Sequence, residues 1–174
     1  MRSKISKIFL VGFMGSGKTV VGELLAEKLK FRFIDLDREM EKRENLSIPE
    51  IFAKFGEEYF RDRESSLLSE VAGMPDSIVV ATGGGIVERK ENRDILKRSG
   101  INVWLDVSFG EIVKRGIVGD SSRPLSKEGE ILIRYEKRIP LYREVADITV
   151  KVDGKEVGEI VEEIWGYLRE RFQG

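Results

Sequence analysis

Residues 12–19 read GFMGSGKT, in which glycines, Lys18 and Thr19 are spaced as G-x-x-x-x-G-K-T. Glycines let the backbone bring its N–H groups against the oxygens of an anion, and a helix that starts there adds the positive end of its dipole. Lys18 could then reach the β- and γ-phosphates of a nucleotide, and the Thr19 hydroxyl suits a hard cation such as Mg²⁺. This spacing therefore predicts a loop that binds a nucleoside triphosphate.

The flanking residues supply the context that such a loop needs. The apolar run 8–11 predicts a buried strand before it, and Val21, Leu24, Leu25 and Leu29 recur after it with a helical period. A glycine-rich turn that only joins strand to helix is the alternative, but every fixed position of the pattern is present between a strand and a helix. The residues that we expect to bind nucleotide are Gly15, Ser16, Gly17, Lys18 and Thr19.

Two carboxylates follow the second predicted strand. Asp35 and Asp37 lie at the end of the run 32–36, the edge at which open parallel sheets bind their ligands. Asp37 could instead be the N-terminal cap of a helix over 38–43, a frequent use of aspartate. Because the next predicted strand, 77–81, ends without an acidic residue, Asp35 or Asp37 would have to take the metal role.

Two further groups of residues could have either a structural or a functional role when each is considered alone. Arg61 and Glu64 lie three apart on a predicted helix and share a face, but most such pairs are exposed and contribute under about 1 kcal/mol. After the strand 77–81 the chain runs through Thr82 into Gly83, Gly84 and Gly85. Consecutive glycines at a strand end are costly unless the backbone turns tightly or touches a ligand, and a tight turn rarely needs so many.

The segment 116–129 has an irregular composition, with three glycines and three serines around Arg123. Such a segment with one arginine predicts a lid that closes over phosphates, although composition alone would favour an ordinary surface loop. Beyond it a helix is expected from Glu130, and Pro140 should kink or end that helix just after Arg138.

The order of elements predicts an α/β fold. Strands at 8–11, 32–36, 77–81, 102–107 and 147–152 alternate with helices. That alternation predicts a five-stranded parallel sheet between two layers of helices, joined by right-handed crossovers. A chain of 174 residues fits a single domain over 1–174.

The amino-acid composition limits the kinds of partner that the protein is expected to bind. Thirty basic and 31 acidic residues give a net charge of −1, so no overall field attracts nucleic acid or an acidic membrane. The chain has no cysteine and no histidine, which excludes thiolate metal sites and the commonest general base. Without a signal-like or membrane-length apolar stretch, we expect a soluble, cytoplasmic monomer that binds small molecules.

In combination, the motifs resemble those of the shikimate kinase family across nearly the whole chain. They are GFMGSGKT, Asp35 with Asp37, Arg61 with Glu64, the glycines 83–85, Arg123-Pro124-Leu125, and RIPLY at 138–142. The resemblance implies a P-loop kinase fold of the nucleoside-monophosphate-kinase type, with acceptor-binding helices at about 37–72 and a mobile lid at about 116–129. It also implies ATP-dependent phosphorylation of the 3-hydroxyl of shikimate, giving shikimate 3-phosphate and ADP in aromatic amino-acid biosynthesis.

The resemblance also assigns roles to residues. Lys18, Asp37 and Arg123 would be catalytic, with Asp37 bonded to the acceptor hydroxyl as its base or as a group that orients it. Thr19 and Asp35 would support Mg²⁺, and Arg115 and Arg123 would bind ATP, Arg115 against the adenine. The residues that would bind shikimate are Asp37, Arg61, Glu64, Gly83, Gly84, Gly85 and Arg138, with the two arginines on its carboxylate.

Other functions remain open at this point. A gluconate kinase or a nucleoside monophosphate kinase could share the fold and the phosphate loop. A regulatory GTPase or a nucleotide-binding module without transfer is a different class. The N-K-x-D and D-x-x-G sequences that accompany guanine nucleotides do not occur in the chain, which disfavours the GTPase.

Overall fold

Short apolar strands alternate with helices along the part of the chain that the computed structural model describes, residues 5–116 and 128–173. In chain order the elements are β1 (Lys7–Val11), α1 (Lys18–Leu29), β2 (Arg32–Asp35), α2 (Leu36–Glu44), α3 (Ile48–Phe55), α4 (Glu57–Ala72), β3 (Ile78–Ala81), α5 (Lys90–Ser99), β4 (Ile101–Asp106), α6 (Phe109–Lys114), α7 (Glu128–Val145), β5 (Ile148–Lys151) and α8 (Val157–Gln173). No helix within these ranges combines the length and the apolar character that crossing a bilayer requires.

The sheet is parallel throughout, with its five strands in the order β2-β3-β1-β4-β5. The connection from β1 to β2 runs in one direction across the sheet, and the later connections run in the other. Right-handed crossovers therefore place α1 on one face and α4, α5 and α7 on the opposite face. Helix α8 packs beside α1. The predicted α/β fold with three layers is confirmed.

This topology creates a crevice between β1 and β3, because the chain leaves these neighbouring strands toward opposite faces. The strands are tied at that edge, where Leu10 pairs with Ala81. Beyond the last pair, the backbone N–H and the hydroxyl of Thr82 both donate to the carbonyl of Leu10, at 3.1 and 2.7 Å. The phosphate loop and the three glycines consequently leave the sheet side by side.

The second strand ends one residue earlier than predicted, since Leu36 already begins α2. The N-terminal cap of this helix is Asp35, whose Oδ1 accepts a hydrogen bond from the backbone N–H of Arg38 at 3.1 Å. The alternative in which Asp37 caps the helix is therefore wrong. Asp37 lies in the first turn instead, and its carboxylate is not used for capping.

Pro140 was expected to kink or end helix α7, and because the helix continues through it to Val145, only the second of these outcomes is wrong. Proline lacks the N–H that would bond the preceding turn, and it normally destabilises a helix interior. Here two of the residues that follow it are buried, Tyr142 completely and Val145 almost so, and the Tyr142 ring stacks on Trp104 with 6.0 Å between centroids. Burial of this last turn compensates for the lost hydrogen bond.

Candidate active site

The phosphate loop is preformed. Gly15 and Gly17 have φ values of 79° and 92°, a region that only glycine enters at little cost. The backbone N–H of Ser16 donates to the carbonyl of Phe13 at 3.1 Å, which closes the turn. The ammonium group of Lys18 bonds the carbonyls of Gly12 and Phe13, at 2.6 and 3.1 Å. The loop thus holds the ammonium group of its lysine in place through its own backbone carbonyls.

Thr19 and Asp35 form the link between the loop and the second strand. The hydroxyl of Thr19, in the first turn of α1, donates to Oδ2 of Asp35 at 2.5 Å. The two side chains offer oxygen atoms, the ligands that Mg²⁺ prefers. No group of three or more acidic, histidine or cysteine side chains that could hold a metal occurs within the described ranges. A bound ion would therefore need phosphate oxygens and water to complete its shell.

A cavity of about 630 Å³ opens between the helices that follow β2, the three glycines and α7. The residues that line it are Met14, Asp37, Glu41, Ile48, Pro49, Phe52, Glu57, Phe60, Arg61, Glu64, Gly83, Gly84, Gly85, Arg134 and Arg138. The presence of Met14 in this wall shows that the cavity borders the phosphate loop. An acceptor bound here would lie beside the transferable phosphate.

Arg61 and Glu64 form a buried pair on the inner face of α4, so the interpretation as an exposed ion pair is wrong. Nη1 of Arg61 lies 2.8 Å from Oε1 of Glu64, and their side chains are 13% and 3% exposed. The other carboxylate oxygen, Oε2, has no hydrogen-bond partner among the described residues. Burial raises the pKa of Glu64, and the neighbouring Arg61 charge opposes that rise.

Asp37 lies partly buried in the same wall. Burial raises its pKa above the ordinary value, the negative charge of Asp35 adds to the rise, and the positive charge of Lys18 opposes it. An acid with a raised pKa beside a phosphate loop is the arrangement expected of a group that accepts or holds a proton.

Two of the three glycines, Gly83 and Gly85, are explained by their neighbours. A Cβ atom on Gly83 would lie 2.8 Å from Oε2 of Glu64 and 3.1 Å from Oδ1 of Asp37. A Cβ atom on Gly85 would lie 2.5 Å from Nη2 of Arg61. Side chains of the cavity therefore fill the space that any larger residue would need, in addition to any approach of a ligand to this backbone.

Arg138 reaches the cavity from α7. Its side chain is 4% exposed, its Nε lies 3.3 Å from Oε1 of Glu88, and its guanidinium lies 5.7 Å from the centre of the Phe13 ring. The Tyr142 hydroxyl donates to the carbonyl of Gly84 at 2.6 Å. The helix is thereby fastened to the glycine run, which fixes the position of Arg138 in the wall.

The hydrogen bond from Tyr142 to the carbonyl of Gly84 gives a testable prediction. Tyr142→Phe should remove the hydrogen bond to the half-buried carbonyl of Gly84 and lower the free energy of unfolding by about 1–2 kcal/mol. Urea denaturation would measure the change, with Tyr167→Phe, an exposed tyrosine, as the control. Equal loss in both variants would show that the bond to Gly84 contributes nothing particular.

Arg115 and Arg123 were both predicted to bind ATP, but the structure describes only the first of them. Arg115 ends α6, and its Nη1 donates to the carbonyl of Gly15 at 2.5 Å, so it lies against the phosphate loop. Its contact with adenine stays a prediction. Arg123 lies outside the described residues, as does most of the predicted lid at 116–129.

Sequence reasoning missed Glu88 and Arg134. Glu88 follows the glycine run and contacts both Arg61 and Arg138. Arg134 lines the cavity, and burial and the charge of Arg138 lower its pKa. Its spacing offered a signal, because a residue four positions before Arg138 lies on the same face of a helix.

Known proteins share this sequence and this arrangement. The family model described as shikimate kinase matches residues 14–169. A shikimate kinase of Persephonella marina is 46% identical, with 93% of this chain and 98% of that protein aligned. One from Sulfurihydrogenibium sp. is 40% identical, over 96% of this chain and 100% of that protein.

Solved structures agree. Shikimate kinase from Acinetobacter baumannii in complex with shikimate is 37% identical, with a TM-score of 0.89 over 96% of this chain and 94% of that one. A gluconokinase from Sinorhizobium meliloti, 22% identical with a TM-score of 0.60 over 97% of this chain and 94% of that one, shares the fold alone. With most of its length matched by the family model and by close relatives, the chain belongs to the shikimate kinase family.

Proposed function

We propose that the protein transfers the γ-phosphate of ATP to the 3-hydroxyl of shikimate, giving shikimate 3-phosphate and ADP. The observation that carries the proposal is the cavity beside the phosphate loop, into which Arg61 and Arg138 project together with the acidic Asp37 and Glu64. Membership of the family supports it, and so does the related Acinetobacter baumannii enzyme, which was solved with shikimate.

Arg61 and Arg138 are the proposed contacts of the acceptor carboxylate. A guanidinium is planar and offers parallel donors that match the two oxygens of a carboxylate. Both side chains are largely buried, at 13% and 4% exposure, so their bonds to an anion would form with little competition from water. Glu64, whose Oε2 has no partner in the described structure, would accept a hydrogen bond from an acceptor hydroxyl.

Asp37 is proposed to receive the hydrogen bond of the hydroxyl that is phosphorylated. It lies in the cavity wall, and its charge interacts with that of Lys18 in the phosphate loop. In this position an ionised carboxylate orients the hydroxyl toward the phosphate and can take its proton as the new ester bond forms.

The phosphate loop is proposed to bind ATP through its backbone N–H groups and Lys18, whose ammonium would turn from the loop carbonyls to the phosphates. Thr19 and Asp35 would hold Mg²⁺, since their oxygens are already adjacent. The ion would neutralise charge on the phosphates. Arg115, beside Gly15, would contact the nucleotide, and Arg123 stays the proposed cation for the transferring phosphoryl group.

An acceptor panel tests the proposal. ADP formation with MgATP would be followed without an acceptor, and then with shikimate, quinate, gluconate or nucleoside monophosphates. We expect fast turnover with shikimate and a slow background without an acceptor. ADP release that depends on gluconate or on a nucleotide would contradict the assignment of the acceptor.

The raised pKa of Asp37 predicts a pH dependence. A protonated Asp37 cannot accept the acceptor's proton, so kcat/KM for shikimate should fall as the pH drops through the raised pKa. The acid limb of the pH profile should lie above about 4, the ordinary pKa of aspartate. The neighbouring Glu64, whose pKa is also raised, should contribute to the same limb. A profile at saturating MgATP that stays flat down to that range would contradict a proton-accepting Asp37.

A further inference from the structure

Glu88 contacts both arginines that are proposed to hold the acceptor carboxylate. Its Oε1 lies 3.3 Å from Nε of Arg138, and its Oε2 lies 3.7 Å from Nη2 of Arg61. The two arginines come from different helices, α4 and α7. A single carboxylate thus connects them, one oxygen to each.

This carboxylate does not stand in the acceptor's place. Among the described residues, Arg61 and Arg138 line the cavity and Glu88 does not. Glu88 therefore contacts the two guanidinium groups without itself lining the cavity that they line. The side chain of Glu88 is 25% exposed, so water screens its negative charge only in part.

The backbone of Glu88 is fixed at the same time. Its N–H donates to the carbonyl of Gly85 at 3.1 Å, and its own carbonyl accepts from Nη1 of Arg93 at 3.2 Å. The same Nη1 bonds the carbonyl of Val87 at 2.8 Å, and Nε of Arg93 bonds Glu144 at 2.8 Å. The bridging carboxylate is therefore carried by a turn whose backbone is held by several hydrogen bonds.

The positive charges around the cavity explain why a carboxylate between Arg61 and Arg138 is useful. Arg61, Arg134 and Arg138 line one cavity, and their like charges repel one another. A fixed negative charge between Arg61 and Arg138 offsets that repulsion and limits the rotamers that each can adopt. Donors held in place before binding lose less conformational freedom when the ligand arrives.

We propose that Glu88 is the positioning residue of the acceptor site, a carboxylate that holds Arg61 and Arg138 at the spacing at which they bind the acceptor's carboxylate. The inference rests on the proposed function. Glu88 acts through the two arginines and touches neither the acceptor nor the transferred phosphate. Its loss should therefore weaken capture of the anionic acceptor and leave the chemical step intact.

Glu88→Gln tests this, because it keeps the shape of the side chain and removes its charge. We expect KM for shikimate to rise about tenfold, the usual order for a lost charge-assisted hydrogen bond, with kcat and KM for ATP within about twofold. Glu88→Asp, which keeps the charge on a shorter chain, should recover part of the loss. The matched control is Glu91→Gln, which removes an exposed acidic group on the same side of the glycine run.

The outcomes separate the inference from the proposed function. An unchanged KM for shikimate in Glu88→Gln, with the wild-type protein active, would overturn the positioning role and leave the function standing. A lower KM would also overturn it, because Glu88 would then compete with the acceptor for the arginines. A wild-type protein that does not turn over shikimate would remove the proposed function and this inference with it.

Discussion

Replacement of Asp37 with asparagine is expected to lower kcat with shikimate by about a thousandfold, within the range that a positioned acid or base contributes. Asparagine keeps the size of the side chain but cannot accept a proton. Because Asp37 lies in the wall of the proposed acceptor cavity, the binding of MgATP should change little. Single-turnover kinetics with saturating MgATP and shikimate would isolate the chemical step from product release.

A matched control for this variant lies on the same helix. Glu39→Gln removes a half-buried acid from α2 that pairs with Arg43 and does not line the cavity, and it should leave kcat unchanged. A fall of less than about tenfold in Asp37→Asn would show that Asp37 only orients the hydroxyl, since a catalytic base contributes at least about a hundredfold.

The second large effect is expected at Arg61 and Arg138, the two arginines proposed to bind the acceptor. Arg61→Ala and Arg138→Ala should each lower kcat/KM for shikimate by about 2–4 kcal/mol, the cost of leaving a carboxylate unpaired in a dry site. KM for ATP should stay near the wild-type value, because neither arginine belongs to the phosphate loop. Steady-state kinetics with each substrate varied in turn would measure both effects.

Folding must be separated from binding in these variants, since Arg138 is almost fully buried. Arg138→Lys keeps the positive charge and most of the volume but loses the planar fork, so it should fold and still bind the acceptor poorly. For Arg61 the control is Arg63→Ala, an exposed arginine on the same helix that pairs with Glu44. A rise confined to KM for ATP would contradict the assignment of either arginine.

The fold could be predicted because its signals are local. The central strands are short, largely apolar runs, and the phosphate loop fixes where β1 ends and α1 begins. The exact end of β2 could not be predicted, because the choice between Asp35 and Asp37 as cap depends on which backbone N–H each can reach. The outcome at Pro140 was likewise decided by the burial of Tyr142, a tertiary effect.

The candidate site was predictable only in part. The residues of the phosphate loop follow from spacing, whereas Arg61 and Glu64 have the spacing of an ordinary surface pair. Only the packing of α4 against the glycine run reveals that the pair is buried and faces the cavity. Glu88 gave no sequence signal at all, because its contacts join residues 27 and 50 positions away along the chain.

The central claim is transfer of phosphate to shikimate, and identification of the phosphorylated product tests it most directly. Phosphorus NMR of a reaction with MgATP and shikimate should show one phosphomonoester formed for each ADP, with its phosphorus coupled to the proton on carbon 3. Inorganic phosphate as the only new product, or a phosphomonoester that forms only with a different acceptor, would contradict the account.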